Sequence, residues 1–166
     1  MKYTSLLLSG CIAASFLFSS CDKKGPATST VAITITDGQT GAASVGATVK
    51  LYDDVNKPNT GEAPSYTLTT DASGKATAVV AYIGEYYIVA EKGTQKSYYN
   101  GLIPIGIFKT QADIDSSPKQ TPAAIIGSVK FKDTNNDGVI NDSDKAKAPN
   151  LFLQEGQTLN YSLAVY

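Results

Sequence analysis

The twelve residues from Asp133 to Asp144, "DTNNDGVINDSD", carry acid or amide side chains at the first, third, fifth, ninth and twelfth positions. Gly138 occupies the sixth. Calcium takes about six to eight oxygen ligands, and a twelve-residue loop supplies them from alternate positions around a glycine turn. The spacing therefore predicts a Ca²⁺ site, whereas the alternative is an acidic surface turn. The predicted ligands are Asp133, Asn135, Asp137, the Val139 carbonyl, Asn141 and Asp144.

The sequence around this loop differs from a helix–loop–helix EF-hand. "GSVKFK" before it alternates like a strand, and Pro149 after it leaves room for only a turn or two of helix. Ile140, at the eighth position, is expected to pin the loop to the domain. The loop resembles the calcium loop of dockerins and the strand–"DxNxDG"–turn units of outer-membrane proteins of Bacteroidota. Dockerins bind cohesins through two such repeats, and this sequence has one, so the resemblance implies calcium without a cohesin partner.

The composition argues against two broad classes of function. The chain has no histidine, and all 14 of its basic residues are lysine, against 15 acids. Triad enzymes need a nucleophile paired with a base, usually histidine, and the four glutamates lie in no motif that would bury them. The lysines are scattered singly and form no basic stripe for nucleic acid. The sequence thus predicts a non-enzymatic protein that does not bind nucleic acid.

The N-terminus predicts export and lipid anchorage. Residues 1–20 combine Lys2, an apolar stretch and small residues, which is the layout of a signal peptide. "LFSSC" resembles a bacterial lipobox, in which Cys21 is lipidated and begins the mature chain. "LLSGC", ending at Cys11, leaves too short an apolar stretch, and a disulfide between the two cysteines would use a residue inside that stretch. Residues 21–28 are then a polar tether, and the protein is expected at the outer membrane, on its periplasmic face or at the cell surface.

Residues 29–166 are predicted to form one all-β domain. Segments with period-two alternation and β-branched residues are separated by turn signals about every ten residues, which is typical of an antiparallel β-sandwich. "KTQADIDSSPKQTP" is expected to be a surface loop within that domain, and Asn100-Gly101 a hairpin turn. The predicted strands are "TVAITIT", "ATVKLYD", "SYTLTT", "KATAVVAYI", "EYYIVAEK", "AAIIGSVKF" and "TLNYSLAVY".

From about Val31 to Lys92 the chain resembles the carboxypeptidase-regulatory-like and Cna B-type domains. The residues that carry this resemblance are "ITDGQTGAASVGATVKLYD", "YTLTTDASGKATAVV" and "GEYYIVA". It implies a transthyretin-like or immunoglobulin-like β-sandwich. Such domains are mostly spacers, stalks and binding modules, so the resemblance implies no particular activity.

The chain has ten tyrosines and no tryptophan, and two tyrosine pairs are adjacent in sequence. In a strand, one member of Tyr86-Tyr87 and one of Tyr98-Tyr99 should face outward, where it could stack on a sugar or anchor a protein partner. Together these features predict a lipid-anchored, calcium-stabilised β-sandwich, a binding or scaffold module of the bacterial envelope with a glycan or envelope-protein partner. The alternatives are a carbohydrate-binding accessory subunit of a glycan-uptake system and a fimbrillin-like pilus subunit.

Overall fold

The computed structural model describes residues 25–166, and almost all of its regular structure is β. The predicted signal peptide, Cys11 and Cys21 lie outside the described residues. The described residues form two short α-helices, neither long and apolar enough to cross a membrane, at Lys57–Thr60 and Gln111–Asp115 (α1 and α2). The strands are β1 (Thr28–Asp37), β2 (Thr48–Tyr52), β3 (Tyr66–Thr69), β4 (Lys75–Ala81), β5 (Glu85–Lys92), β6 (Gln95–Lys96), β7 (Pro104–Ile107), β8 (Lys119–Gln120), β9 (Val129–Phe131), β10 (Val139–Ile140), β11 (Asn150–Phe152) and β12 (Thr158–Val165).

Two sheets face each other and form the sandwich. The first has the order β12-β1-β4, and the second has the order β11-β5-β2-β3, with β6 paired to β5. Pairing within them is antiparallel except between β1 and β12, which run parallel from Thr30 opposite Thr158 to Asp37 opposite Val165. The predicted antiparallel β-sandwich is therefore confirmed, with one parallel pair inside the first sheet.

Alternating apolar residues build the core between the sheets. Val31, Ile33 and Ile35 of β1 are fully buried, as are Val49 and Leu51 of β2. They belong to one continuous cluster to which both sheets contribute. Full burial of an aliphatic side chain of this size contributes roughly 1.5–3 kcal/mol, so these alternating positions account for much of the driving force that joins the sheets.

An insertion, residues 97–148, separates β6 from β11 and covers the outer face of the second sheet. Within it, β7 pairs with β9 and β8 pairs with β10. The expected plain loop at residues 109–122 contains α2, because the Thr110 side chain caps its first turn by accepting a bond from the Asp113 N–H at 3.1 Å. The predicted strand at residues 123–131 shrinks to β9, since Gly127 (φ +92°) and Ser128 form a turn just before it.

The insertion overturns the prediction for the first tyrosine pair. Tyr86 and Tyr87 do point to opposite faces of β5, but neither faces solvent. Tyr86 lies in the core between the sheets, edge-on to Tyr66 with ring centroids 5.8 Å apart. Tyr87 lies on the outer face, in a second buried cluster beneath the insertion. That cluster consists of Tyr52, Tyr87, Val89, Tyr98 and Ala148.

The second tyrosine pair is also largely enclosed. Tyr98 is buried and donates its hydroxyl to the Ala146 carbonyl at 2.9 Å. Tyr99 is half-buried, stacks edge-on against Phe131, and donates its hydroxyl to the Tyr166 carbonyl. The prediction that one member of each pair faces outward toward a ligand is therefore wrong for Tyr86-Tyr87, because Tyr86 lies between the sheets and the insertion covers Tyr87. In the second pair, Tyr98 is buried as well.

Candidate metal loop

The loop predicted to bind calcium connects β9 to β11 at the base of the insertion. Its seventh and eighth residues form β10, which runs parallel to β8, and the Lys119 N–H donates to the Gly138 carbonyl at 2.9 Å. Ile140 is buried, with 4% of its surface exposed. The prediction that this residue pins the loop to the domain is confirmed.

Two left-handed residues turn the first half of the loop around Asp133. Asn136 has φ +60° and Gly138 has φ +82°, a conformation that glycine adopts without steric cost. This brings the Gly138 N–H to 2.9 Å from Oδ2 of Asp133, to which it donates a hydrogen bond. The glycine at the sixth position therefore has the turn-forming role that the sequence predicted.

Asp144, the last residue of the loop, is a buried carboxylate held by backbone donors. Its Oδ1 accepts from the Thr134 N–H and its Oδ2 accepts from the Asn141 N–H, both at 2.8 Å. The hydrogen bond from Asn141 is the main cause that lowers the pKa of Asp144, and burial opposes it. Asn141 in turn accepts from the Ser143 N–H at 2.7 Å and so caps the short 3₁₀ helix at Asp142–Asp144.

One oxygen of the Asp133 carboxylate is buried without a hydrogen bond. Its Oδ1 is buried and has no hydrogen-bond partner, although its Oδ2 is bonded to Gly138. The carboxyl of Asp133 also lies close enough to that of Asp144 to influence the pKa of Asp144. A buried carboxylate oxygen without a donor is costly, and a hard cation held between two carboxylates would satisfy it. In their chemistry, the first and last ligands of the predicted set fit calcium.

The middle of the loop is arranged differently. Asp137 is exposed; its Oδ1 accepts from the Val139 N–H at 2.8 Å, and its Oδ2 accepts from the Asn135 amide at 3.0 Å. Asn135 Oδ1 accepts from the Asp137 N–H at 3.0 Å. No three acidic, cysteine or histidine side chains within residues 25–166 are grouped as a metal site. The structure thus brings together Asp133 and Asp144 but not Asp137, and the full ligand set stays a prediction.

A second candidate site, missed by the sequence analysis, is a cleft of about 400 Å³ on the outer face of the second sheet. Lys50 pairs with Glu91 at 2.8 Å, and Lys96 lies 3.9 Å from the same carboxylate. The bond to Glu91 raises the pKa of Lys50. Tyr52 and Tyr98 also line the cleft, but both rings are buried. Of the two acids that line the cleft, Glu62 and Glu91, the second is already flanked by two lysines. The strand register, which the sequence does not reveal, brings Lys50 and Glu91 together.

Comparisons with known proteins give loose structural likenesses only. No protein-family model matches the chain, and no curated protein sequence matches it. A DUF3823 family protein from Parabacteroides merdae is 14% identical, with a TM-score of 0.38 over 84% of this chain and 46% of that one. The pilus 2b backbone protein of group B streptococcus is 16% identical, with a TM-score of 0.35 over 82% of this chain and 40% of that one.

A third likeness is to the TIE protein of Bacillus anthracis, which is 13% identical, with a TM-score of 0.30 over 84% of this chain and 34% of that one. This chain spans less than half the length of each of the three. Overlaps with TM-scores below 0.5 are too loose to carry conclusions about sites or function.

Proposed function

We propose that this chain is a lipid-anchored, calcium-stabilised β-sandwich that acts as a non-enzymatic binding or scaffold module at the outer membrane of a bacterial envelope. The observation that supports the calcium part is the buried, unpartnered Oδ1 of Asp133 beside the buried carboxylate of Asp144. The other groups expected to hold the ion are Asn135, Asp137, the Val139 carbonyl and Asn141. In this proposal, a glycan or another envelope protein is the partner.

The ion would act structurally, by joining the two ends of the loop. Two hydrogen bonds fix the chain that leaves the loop to earlier residues of the insertion. The Ala146 N–H donates to the Gly101 carbonyl at 2.9 Å, and the Ala146 carbonyl accepts from the Tyr98 hydroxyl. Ala148 then packs beside Tyr87 in the buried outer cluster. Drawing Asp133 and Asp144 together would therefore stabilise the segment that covers the outer face of the second sheet and leads into β11.

Thermal unfolding in calcium and in chelator tests this proposal. Binding to the folded state alone adds about 2.7 kcal/mol when free calcium is a hundredfold above Kd, which is a rise in Tm of roughly 5–10 °C for a domain of this size. Because extracellular calcium modules often bind at about 0.1–1 mM, the comparison should use about 10 mM calcium. Magnesium should do much less, since it demands octahedral geometry and sheds water reluctantly.

Two variants make this experiment specific to the loop. Asp137→Ala removes a predicted ligand and should abolish the calcium-dependent rise in Tm. Asp142→Ala is the matched control, because Asp142 is an exposed acid of the same loop, paired with Lys145 at 3.0 Å, and is not a predicted ligand. Identical melting of the unmodified protein in calcium and in chelator would reduce the loop to an acidic turn.

The lipid anchor is tested separately by cell fractionation. Cys21→Ala should release the protein from the membrane fraction, because the acceptor of the lipid is gone. Cys11→Ala should leave it there. If Cys11→Ala alone abolishes membrane association, Cys11 and not Cys21 is the modified residue.

A further inference from the structure

Strand β12 forms one edge of the first sheet, and its outer side is open. The Val165 carbonyl accepts from the Gly38 N–H at 2.8 Å and the Gln157 carbonyl accepts from the Thr30 N–H at 2.9 Å, so the odd-numbered residues direct their backbone groups toward β1. In a parallel pair, the N–H and C=O of one residue point to the same side. The even-numbered residues therefore direct both groups away from the sheet. These residues are Thr158, Asn160, Ser162 and Ala164.

Tyr166, the next even-numbered residue, shows how outward backbone groups of this edge can be hydrogen-bonded. Tyr166 exchanges two backbone hydrogen bonds with Lys96 of β6, at 3.0 and 3.1 Å. Within residues 25–166, no strand pairs with the four outward residues before it. The outer edge of β12 is thus a row of backbone donors and acceptors. Within the described part of the chain, only Tyr166, which follows β12, has its outward groups paired with a strand.

The opposite edge of the same sheet, formed by β4, is better protected. Lys75 exchanges bonds with Asp71, both at 2.9 Å, and the Ala81 N–H donates to the Tyr66 hydroxyl at 2.9 Å. Edge strands are commonly protected by charged residues, proline or bulges. From Thr158 to Tyr166 the chain has no charged residue, proline or glycine, and the register of β12 against β1 is unbroken.

The inner face of β12 is incompletely covered. Leu159, Tyr161 and Leu163 pack against the core but remain partly exposed. Phe152, which is 69% exposed, lines a small cleft with Leu159 at the start of the strand. A further strand added to the edge would cover apolar surface as well as satisfy backbone groups.

We propose that β12 pairs antiparallel with β12 of a second copy of this chain and so joins two three-stranded sheets into one sheet of six strands. A two-fold axis at Tyr161 places Asn160 opposite Ser162 of the copy, and Thr158 opposite Ala164 of the copy. All the outward backbone groups then face each other. The same register sets Leu159 opposite Leu163 of the copy. Because β12 is uncharged and has apolar residues on one face, the two copies of the strand are complementary to each other.

Disulfide trapping tests this register directly. Asn160→Cys and Ser162→Cys are made separately in a Cys11→Ser/Cys21→Ser background, so that the introduced thiols are the only ones. Mixed and oxidised, the two variants should form a disulfide-linked dimer. Each variant alone should form little, because residue 160 and its counterpart lie on a diagonal roughly 7–8 Å apart, beyond the reach of a disulfide.

Sedimentation of the full chain supplies a second, independent measurement. The double variant Asn160→Lys/Ser162→Lys places each lysine opposite a lysine of the copy and should abolish the dimer. Thr77→Lys/Val79→Lys, on the exposed positions of β4, is the matched control and should leave it intact. The proposal is overturned by absence of the mixed disulfide, by equally efficient disulfides in either single variant, by a dimer that survives the β12 lysines, or by one lost equally in the β4 control.

Discussion

Thr134 and Asp144 are joined by two hydrogen bonds across the candidate calcium loop. The Thr134 N–H donates to Oδ1 of Asp144 at 2.8 Å, and the Thr134 hydroxyl donates to the Asp144 carbonyl at 3.0 Å. Protein groups therefore already link the two ends of the loop, and an ion would add to this link. Asp144 has a role in the fold that does not depend on an ion, whereas the hydrogen bonds of exposed Asp137 to other described residues lie within its own turn.

This difference predicts opposite results for two similar substitutions in chelator. Asp144→Asn leaves a single acceptor oxygen and sets its buried NH₂ group against one of the two backbone N–H donors, so Tm should fall by roughly 5 °C without calcium. Asp137→Asn should leave that Tm nearly unchanged, because its side chain is exposed. Scanning calorimetry in chelator measures both. Equal losses in the two variants would contradict a separate structural role for Asp144.

A second prediction concerns alkaline pH and Tyr86. Burial, assisted by the neighbouring Tyr66, raises the pKa of Tyr86 to about 12, and its hydroxyl donates to the Ala81 carbonyl at 3.0 Å. An unfolded tyrosine ionises near pH 10, so the folded state holds this proton more tightly. The stabilisation is complete below about pH 10 and is lost as the pH rises toward about 12.

Tyr86→Phe removes this ionisation. Between about pH 10 and pH 12, the fall in unfolding free energy should become shallower by up to about 1.4 kcal/mol per pH unit. Urea unfolding at a series of alkaline pH values measures the slope. Tyr82→Phe, at the exposed turn after β4, is the control and should leave the slope unchanged. An unchanged slope in Tyr86→Phe would mean that folding does not raise the pKa of Tyr86.

Side-chain alternation was enough to predict which residues of β1 and β2 form the core, because a strand has two faces and only one was apolar. Alternation does not encode which distant strands pair or in which direction, so the parallel pairing of β1 with β12 could not be predicted. Nor could the burial of Tyr87, since the segment that covers it includes residues up to Ala148. In the loop, the positions of Gly138 and Ile140 follow from local spacing, whereas the orientation of Asp137 depends on competing backbone donors.

The tight turn between β3 and β4 gives the last prediction, which concerns Gly74. This residue has φ +74°, and a Cβ placed there would lie 2.6 Å from the Ile35 carbonyl oxygen and 3.1 Å from the Ser44 nitrogen. Both are backbone atoms, so neither can rotate away as a side chain could. Gly41 has nearly the same φ, +73°, but a Cβ there would have nothing within 4 Å. Substitution of either glycine would therefore carry the same conformational strain, but only at Gly74 would the new Cβ collide with backbone atoms.

Gly41→Ala should therefore cost only the left-handed conformation, about 1–2 kcal/mol. Gly74→Ala adds the collision with β1, where the Ile35 N–H donates to the Gly74 carbonyl at 2.8 Å, and should cost about 2–5 kcal/mol. Denaturant midpoints at constant slope measure both values. Similar losses in the two variants would mean that β1 moves aside readily, and that the close approach of this turn does not help to hold the first sheet in place.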